Sequence, residues 1–261
     1  MKPLRDAIRR EAGRVWREKA QAEGLGLFVN EESITETMLL NLATTFQGSG
    51  LFVRPFSKAQ EKRNGADWEL WFIQGANAVG LRVQAKRLFP SGKYDSLKPT
   101  GSQIATLIKR AGKCFPVYVF YNDPSTYRHL LPICACGGYR APSYRGCTLS
   151  PAARVALAAN NSASSIQAIS VPWHCMFCDD AAKRIAMPEA IAQTMNGRFG
   201  LVGDQKCEFI PTPRQFSPFT DGLVQRSPTS VISGDYHEPE WLEGYLSEKM
   251  LAGTVVVSMV T

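Results

Sequence analysis

No apolar run in this chain approaches the roughly 18–20 residues that a membrane-spanning helix needs. The N-terminus, MKPLRDAIRREAGRVWREKAQAEG, lacks the uninterrupted apolar centre of a secretory signal. A chain without a membrane span and without a leader is expected in the cytoplasm. No glycine-rich phosphate loop, Gly-x-Ser-x-Gly elbow or His-Glu-x-x-His is present, which removes the usual nucleotide, acyl-transfer and zinc-protease patterns. Only three histidines occur, His129, His174 and His237, so triad chemistry has few candidates. There is no internal repeat and no low-complexity tract. The cysteines number seven, an odd count, which fits free or metal-bound thiols in a reducing compartment better than a disulfide framework.

Hydrophobic residues make up 44% of the 261 residues and charged ones 20%, enough apolar surface for a sizeable core. The 30 Lys and Arg against 23 Asp and Glu leave a formal charge of +7, which favours anionic partners. The first segment concentrates that charge. Leu4, Ile8, Val15 and Trp16 lie on one side of a helix thick with Arg and Lys, a pattern expected of a solvated surface helix docked by one stripe.

Gly24-Leu25-Gly26 breaks this helix, and Asn30 caps a second one with Glu31 and Glu32 in its first turn. Ile34, Met38, Leu42, Phe46, Leu39 and Ala43 form its apolar arc, with Glu36 at the flank. A carboxylate there calls for a partner, a metal or the lip of a cleft. LFVRPF is strand-like. ADWELWFI (66–73) alternates cleanly, QGANA turns, and VGLRVQAKRLF is the paired strand of a hairpin. SQIATLIKRAG (102–112) reads as a helix with Ile104, Leu107 and Ile108 inward, and FPVYVFYN (115–122) as a fully buried strand. Helices are expected at 150–160 and at 179–195, the latter broken or kinked at Pro188, and strands at IQAISVPW and TVVVSMV. The stretch 209–240 reads mostly as loop. Helix, three strands, helix and strand in this order predict an α/β or α+β fold with a central mixed sheet flanked by helices.

Inside the paired strand, alternation puts Arg82, Gln84 and Lys86 on one face, with Asp67 on the preceding strand of the same hairpin and Glu36 on the helix before it. The ordered set E…GADWE…VQAKR, spanning roughly residues 30–122, resembles the PD-(D/E)xK, or restriction-endonuclease-like, nucleases. It is closest to the Mrr-like branch that carries Gln in the last motif. The resemblance implies a Mg²⁺- or Mn²⁺-dependent endonuclease acting on DNA, RNA being the other polymer open to it, with a place in restriction or antiphage defence. In it Asp67 is the principal metal ligand, Gln84 a neutral one, and Glu36 binds directly or through water. Lys86 orients the attacking water and stabilises developing charge. Gln103, early in the following helix, matches a glutamine that some branches place beside the site. Gln84 in place of the commoner Glu leaves two formal negative charges at the site, favouring one metal ion over two. Arg87, Lys93 and Tyr94 are candidates for phosphate-backbone contact. The implied organisation is a basic N-terminal helix (1–29), a nuclease-like core (30–125) and a C-terminal extension (126–261) packed on it as one globular unit. A homodimer is common where two strands are cut.

Cysteine offers a second constellation. Cys134 and Cys136 in PICACGG and Cys175 and Cys178 in PWHCMFCDD are candidates for a structural Zn²⁺ site, with buried free thiols as the alternative. The other class of function open to the chain is a catalytically inactive nucleic-acid-binding or interaction protein on the same scaffold, held by zinc in its C-terminal half. Taken singly, Asp67 is equally an ordinary strand-end acid and Glu36 a partner for Arg82 or Lys86 in a structural ion pair.

Overall fold

The structure is a computed structural model that describes residues 2–45, 51–53, 66–94, 96–127, 142–178, 187–213 and 254–258. In chain order the elements begin with α1 (Lys2–Gly24), α2 (Glu31–Thr45), β1 (Leu51–Val53), β2 (Trp68–Gln74) and β3 (Asn77–Arg87). Next come α3 (Ser102–Lys109), β4 (Phe115–Tyr121), α4 (Pro124–Tyr127), a 3-10 turn (Pro142–Gly146) and β5 (Cys147–Pro151). Two short helices, α5 (Ala152–Ala156) and α6 (Ala163–Gln167), precede β6 (Val171–Pro172) and a second 3-10 turn (Trp173–Phe177). Helix α7 (Met187–Phe199), β7 (Ile210–Pro211) and β8 (Thr254–Ser258) complete the set.

The strands form one mixed sheet in the order β1-β8-β2-β3-β4-β5-β6, with β7 pairing the start of β3. Strands β2 and β3 are antiparallel, β3 and β4 parallel, and β5 and β6 run on antiparallel. The fold is therefore α+β, as the element pattern predicts. The hairpin closes at Gly75 and Ala76, with Gln74 paired to Asn77. Gly75 adopts φ 55°, the left-handed conformation that tight hairpin turns use and that glycine takes without steric cost.

Helices cover both faces, so the central strands are buried on both sides. One face packs against α1, α2, the Trp173–Phe177 turn and α7. Its core includes Leu4, Ile8 and Val15 of α1, Met38 of α2, Val83 and Ala85 of β3, and Ile191 of α7. The opposite face carries Tyr118 and Phe120 beneath α3, α5 and α6, with Tyr94, Ile104 and Leu107 among their neighbours. The hairpin partners Glu69 and Arg82 show how a charged pair is kept inside such a sheet. Arg82 donates to Glu69 Oε1 from Nε (3.0 Å) and Nη2 (2.8 Å), and its Nη1 donates to the carbonyl of Arg110. The indole of Trp71 donates to the second Glu69 oxygen at 3.0 Å.

Several local expectations change. Helix α1 is not a surface helix held by one stripe: Ala7 and Ala12 are buried with Leu4, Ile8 and Val15, and so are Glu11 and Lys19. Ile108 points outward at 40% exposure while Ile104 and Leu107 are buried, because an eight-residue helix presents only a narrow stripe to the sheet. Pro188 is the second residue of α7. There it starts the helix instead of kinking it, since first-turn N–H groups have no intrahelical partner to lose. The strand expected over IQAISVPW is confined to Val171–Pro172, because Ile166 and Gln167 close α6. Residues beyond 125 share the same sheet, β8 lying between β1 and β2. Among the described residues no helix is long and apolar enough to cross a membrane.

Helix α1 meets the Pro142–Gly146 turn at a glycine. A Cβ on Gly146 would collide with the carbonyl oxygen of Ala12 and lie 2.9 Å from the backbone nitrogen of Trp16. Backbone cannot move aside as a side-chain tip can, so Gly146→Ala is expected to destabilise the fold by about 1–3 kcal/mol. Urea denaturation followed by tryptophan fluorescence measures the shift, and an unchanged midpoint contradicts this packing.

Candidate active site

The site is set by the register of the hairpin. Trp68 pairs with Val83, which brings Asp67, one residue earlier, opposite Gln84. The Asp67 N–H donates to the Val83 carbonyl at 2.9 Å. Along β3 the side chains alternate: Val83 and Ala85 enter the α1/α2 core, whereas Arg82, Gln84 and Lys86 share the face of Tyr118 and Phe120. All three polar residues are buried, at 2%, 2% and 6% exposure. Polar side chains taken that far from water require partners.

Asp67 Oδ2 accepts from the backbone N–H of Ala85 at 2.6 Å. The Gln84 amide nitrogen donates to both Asp67 oxygens, at 2.9 and 2.8 Å. Gln84 Oε1 in turn accepts from Gln103 Nε2 at 3.1 Å, so a residue at the start of α3 fixes the amide. At the strand end, Lys86 Nζ stands 3.6 Å from Glu31 Oε1. The other Glu31 oxygen accepts from the Arg87 N–H at 2.8 Å. The Arg87 guanidinium donates to the Val29 carbonyl at 2.6 Å and lies over the Phe89 ring, tying the α2 entrance to β3.

Electrostatics follow from this crowding. Burial, reinforced by the nearby Glu31 carboxylate, pushes the Asp67 carboxyl up to about 7, against the opposing pull of Lys86, the Ala85 N–H and the Gln84 amide. Burial also raises Glu31, partly offset by Lys86 and the Arg87 N–H. Two acids share one lysine in a poorly hydrated corner, an arrangement that an added cation relieves.

Of the residues singled out in the sequence, Asp67, Gln84, Lys86 and Gln103 converge. Glu36 does not join them: it is exposed on α2, and Glu31 takes the place beside Lys86. Five residues separate the two glutamates, about 140° around a helix, so they cannot serve the same face. Glu31 reads in the sequence only as a first-turn acid, and nothing local tells that the first turn of α2 abuts the end of β3. Arg82 belongs to the structural pair with Glu69. Tyr94 is fully buried, its hydroxyl donating to Asn122 Oδ1 at 2.5 Å, which removes it from any phosphate contact, while Lys93 is exposed. Cys134, Cys136 and Gly65 lie outside the described residues. Cys175 and Cys178 stand together with His174.

The donor set suits a hard divalent cation. Asp67 and Glu31 offer carboxylate oxygens and Gln84 an amide that presents oxygen after a half-turn about its last bond. The oxygen and nitrogen of an amide are nearly equivalent in shape. Turning Gln84 and Gln103 together therefore keeps their mutual hydrogen bond. The 2.8–2.9 Å between Asp67 oxygens and the end of the Gln84 amide matches the separation of about 2.9 Å between adjacent oxygens around Mg²⁺.

The fold and this cluster define an α+β protein with two acids, an amide and a lysine gathered at the end of one hairpin in a mixed sheet. The chain belongs to the family DUF6615, a family of unknown function, whose family model matches residues 4–259. No curated protein and no solved structure matches it.

Two measurements separate the site from its scaffold. With a folded-state value near 7 against an unfolded value of about 4, Asp67 holds in the native state a proton that the unfolded chain loses. The resulting stability is complete below about pH 4 and vanishes as pH rises towards 7. In the metal-free protein, Asp67→Asn is expected to match wild type in urea midpoint near pH 4 and to exceed it at pH 8. Arg82→Ala, by contrast, leaves Glu69 buried and uncompensated, and is expected to cost about 3–5 kcal/mol whatever happens at the site.

Proposed function

We propose that this protein is a metal-dependent nuclease that hydrolyses phosphodiester bonds in DNA, built on a restriction-endonuclease-like core and serving restriction or antiphage defence. The observation that carries the reading is the convergence of Asp67, Gln84 and Lys86 across one hairpin, with Glu31 in reach of Lys86. The order α2, β1, β2, β3, α3, β4, with β4 parallel to β3, supports it. So does the formal charge of +7, suited to a polyanion.

Asp67 and Gln84 would hold the ion, with Glu31 as the second acid. When bound, Mg²⁺ or Mn²⁺ polarises the scissile phosphate and lowers the pKa of a coordinated water. The chain's own contributions are distinct. Gln103 holds the Gln84 amide in plane. The Ala85 N–H fixes one Asp67 oxygen and so aims the other. Lys86, buried at 6% exposure, supplies a positive charge that needs no reorganisation when negative charge builds on the phosphate. Glu31, 3.6 Å from the Lys86 ammonium, anchors it at the end of β3.

Plasmid DNA incubated with Mg²⁺ or Mn²⁺ tests the reading, with a structured RNA as the parallel substrate. Asp67→Ala and Lys86→Ala are each expected to lose about 100-fold or more in rate. Glu31→Gln should fall roughly tenfold, as when a group supporting a metal site is lost, while Glu36→Gln retains wild-type activity. Equal cleavage by wild type, Asp67→Ala and Lys86→Ala sinks the assignment. Nucleic-acid binding without cleavage under any of these conditions points instead to a non-catalytic binding protein on the same scaffold.

A further inference from the structure

We propose that His174, Cys175 and Cys178 form a zinc site that clamps the Trp173–Phe177 turn against the sheet. This inference does not rest on the nuclease reading. The three side chains come from the sequence His-Cys-Met-Phe-Cys, and their ligand atoms all lie within 4.8 Å of one another. His174 Nε2 is 3.7 Å from Cys175 Sγ. With Zn–S near 2.3 Å and Zn–N near 2.0–2.1 Å, tetrahedral geometry places neighbouring ligand atoms about 3.6–3.8 Å apart. One pair is thus already at ligand spacing, and the widest separation closes by about 1 Å, within reach of a small side-chain rotation.

The donors themselves select the metal. Two thiols and an imidazole are soft-to-borderline ligands that favour zinc over the hard cations suited to Asp67. A redox role for the Cys-x-x-Cys pair fits less well. His174 and Cys175 are fully buried, and the pair sits on a 3-10 turn instead of at the exposed start of an α-helix, where an attacking thiolate is stabilised. Cys178, half-buried, leaves one side of the cluster accessible to an incoming ion.

Position gives the site a purpose. Trp173 packs on Trp68 with ring centroids 5.9 Å apart, and Phe177 packs edge-on against Phe72 at 5.6 Å. Both partners are β2 residues, and Trp68 follows Asp67 directly. Tyr144, on the turn that meets α1, packs edge-on against the His174 ring at 5.5 Å. A single short 3-10 turn holds these aromatic contacts, and a metal crosslink from residue 174 to 178 would make it rigid. Zinc at this turn therefore supports the strand that carries Asp67, from the sheet face opposite to Gln84 and Lys86.

Elemental analysis of the full-length protein, purified without chelators, tests the site. The expected result is about one zinc per chain in wild type, retained in Cys114→Ser and Asp67→Ala, and reduced roughly tenfold in Cys175→Ser and Cys178→Ser. Removing zinc with a strong chelator should lower the unfolding temperature of wild type but not of the two serine variants. Zinc absent from wild type, or retained in both serine variants, overturns the proposal. Should the serine variants fail to fold, cobalt-substituted wild type decides it. A thiolate-to-cobalt charge-transfer band supports the site, and its absence rejects it.

Discussion

Everything at the candidate site depends on the register in which β2 and β3 pair. Trp68 opposite Val83 puts Asp67 opposite Gln84. A slip of one residue would turn Gln84 and Lys86 into the α1/α2 core and deliver Val83 and Ala85 to the polar face. The sequence pins this register at both ends. The two-residue turn at Gly75 fixes one end, and the Asp67 carboxylate fixes the other by accepting the Ala85 N–H and the Gln84 amide. The Glu69–Arg82 pair locks the middle: in any other register each charge would be buried alone. Gly80 adds a steric key, since a Cβ there would sit 2.9 Å from both the Trp71 ring and Cys114 Sγ.

A strand buried on both faces is normally almost wholly apolar. Strand β3 departs from this at Arg82, Gln84 and Lys86, and the three are handled differently. Arg82 is satisfied by a partner across the hairpin and by the Arg110 carbonyl, a closed network with no donor directed at the site. Gln84 is satisfied by Asp67 on one side and Gln103 on the other. Lys86 has its charge met by Glu31 across 3.6 Å, a looser arrangement than a direct hydrogen bond. The progression from a closed pair to a loose one runs along the strand towards its C-terminal end, where the parallel neighbour β4 also ends. Crevices at the carboxyl ends of parallel strands are where open α/β sheets commonly bind ligands.

How much of this was legible in the sequence varies with the range of the interaction. Alternation over 66–73 and 79–89 revealed the hairpin, and the apolar run Phe115–Tyr121 revealed the buried strand, because both signals are local. Gln84 and Lys86 shared a face by the same rule. Glu36 against Glu31 shows where local reasoning stops. The helical wheel correctly placed Ile34, Met38 and Leu42 inward, but only the packing of the first turn of α2 on the end of β3 says which glutamate meets the lysine. The burial of α1 was hidden similarly. Ala7 and Ala12 look neutral in a basic helix, yet both are buried, and the close approach of the Pro142–Gly146 turn to the α1 backbone at Ala12 is permitted by Gly146. Strand β8 was readable as a strand, but its insertion between β1 and β2 joins residues far apart in the chain, which no periodicity encodes. His174 was visible beside the cysteines. Its convergence with both sulfurs depends on the 3-10 turn.

The neutral glutamine gives the site a charge balance that explains its acids. With a carboxylate in place of Gln84, three acids would surround one lysine, and the amide that now donates to both Asp67 oxygens would become a repelling charge. With Gln84, the metal-free site holds itself together: burial beside Glu31 pushes the Asp67 carboxyl up to about 7, which favours uptake of a proton there and limits the negative charge set against Lys86. On the proposed nuclease reading, the cation displaces that proton and reverses the cause of the shift, because its charge outweighs desolvation. A site of this kind keeps few fixed charges of its own in waiting. On that proposal it would gain its full negative character only as the ion arrives, which would link metal affinity to pH through Asp67.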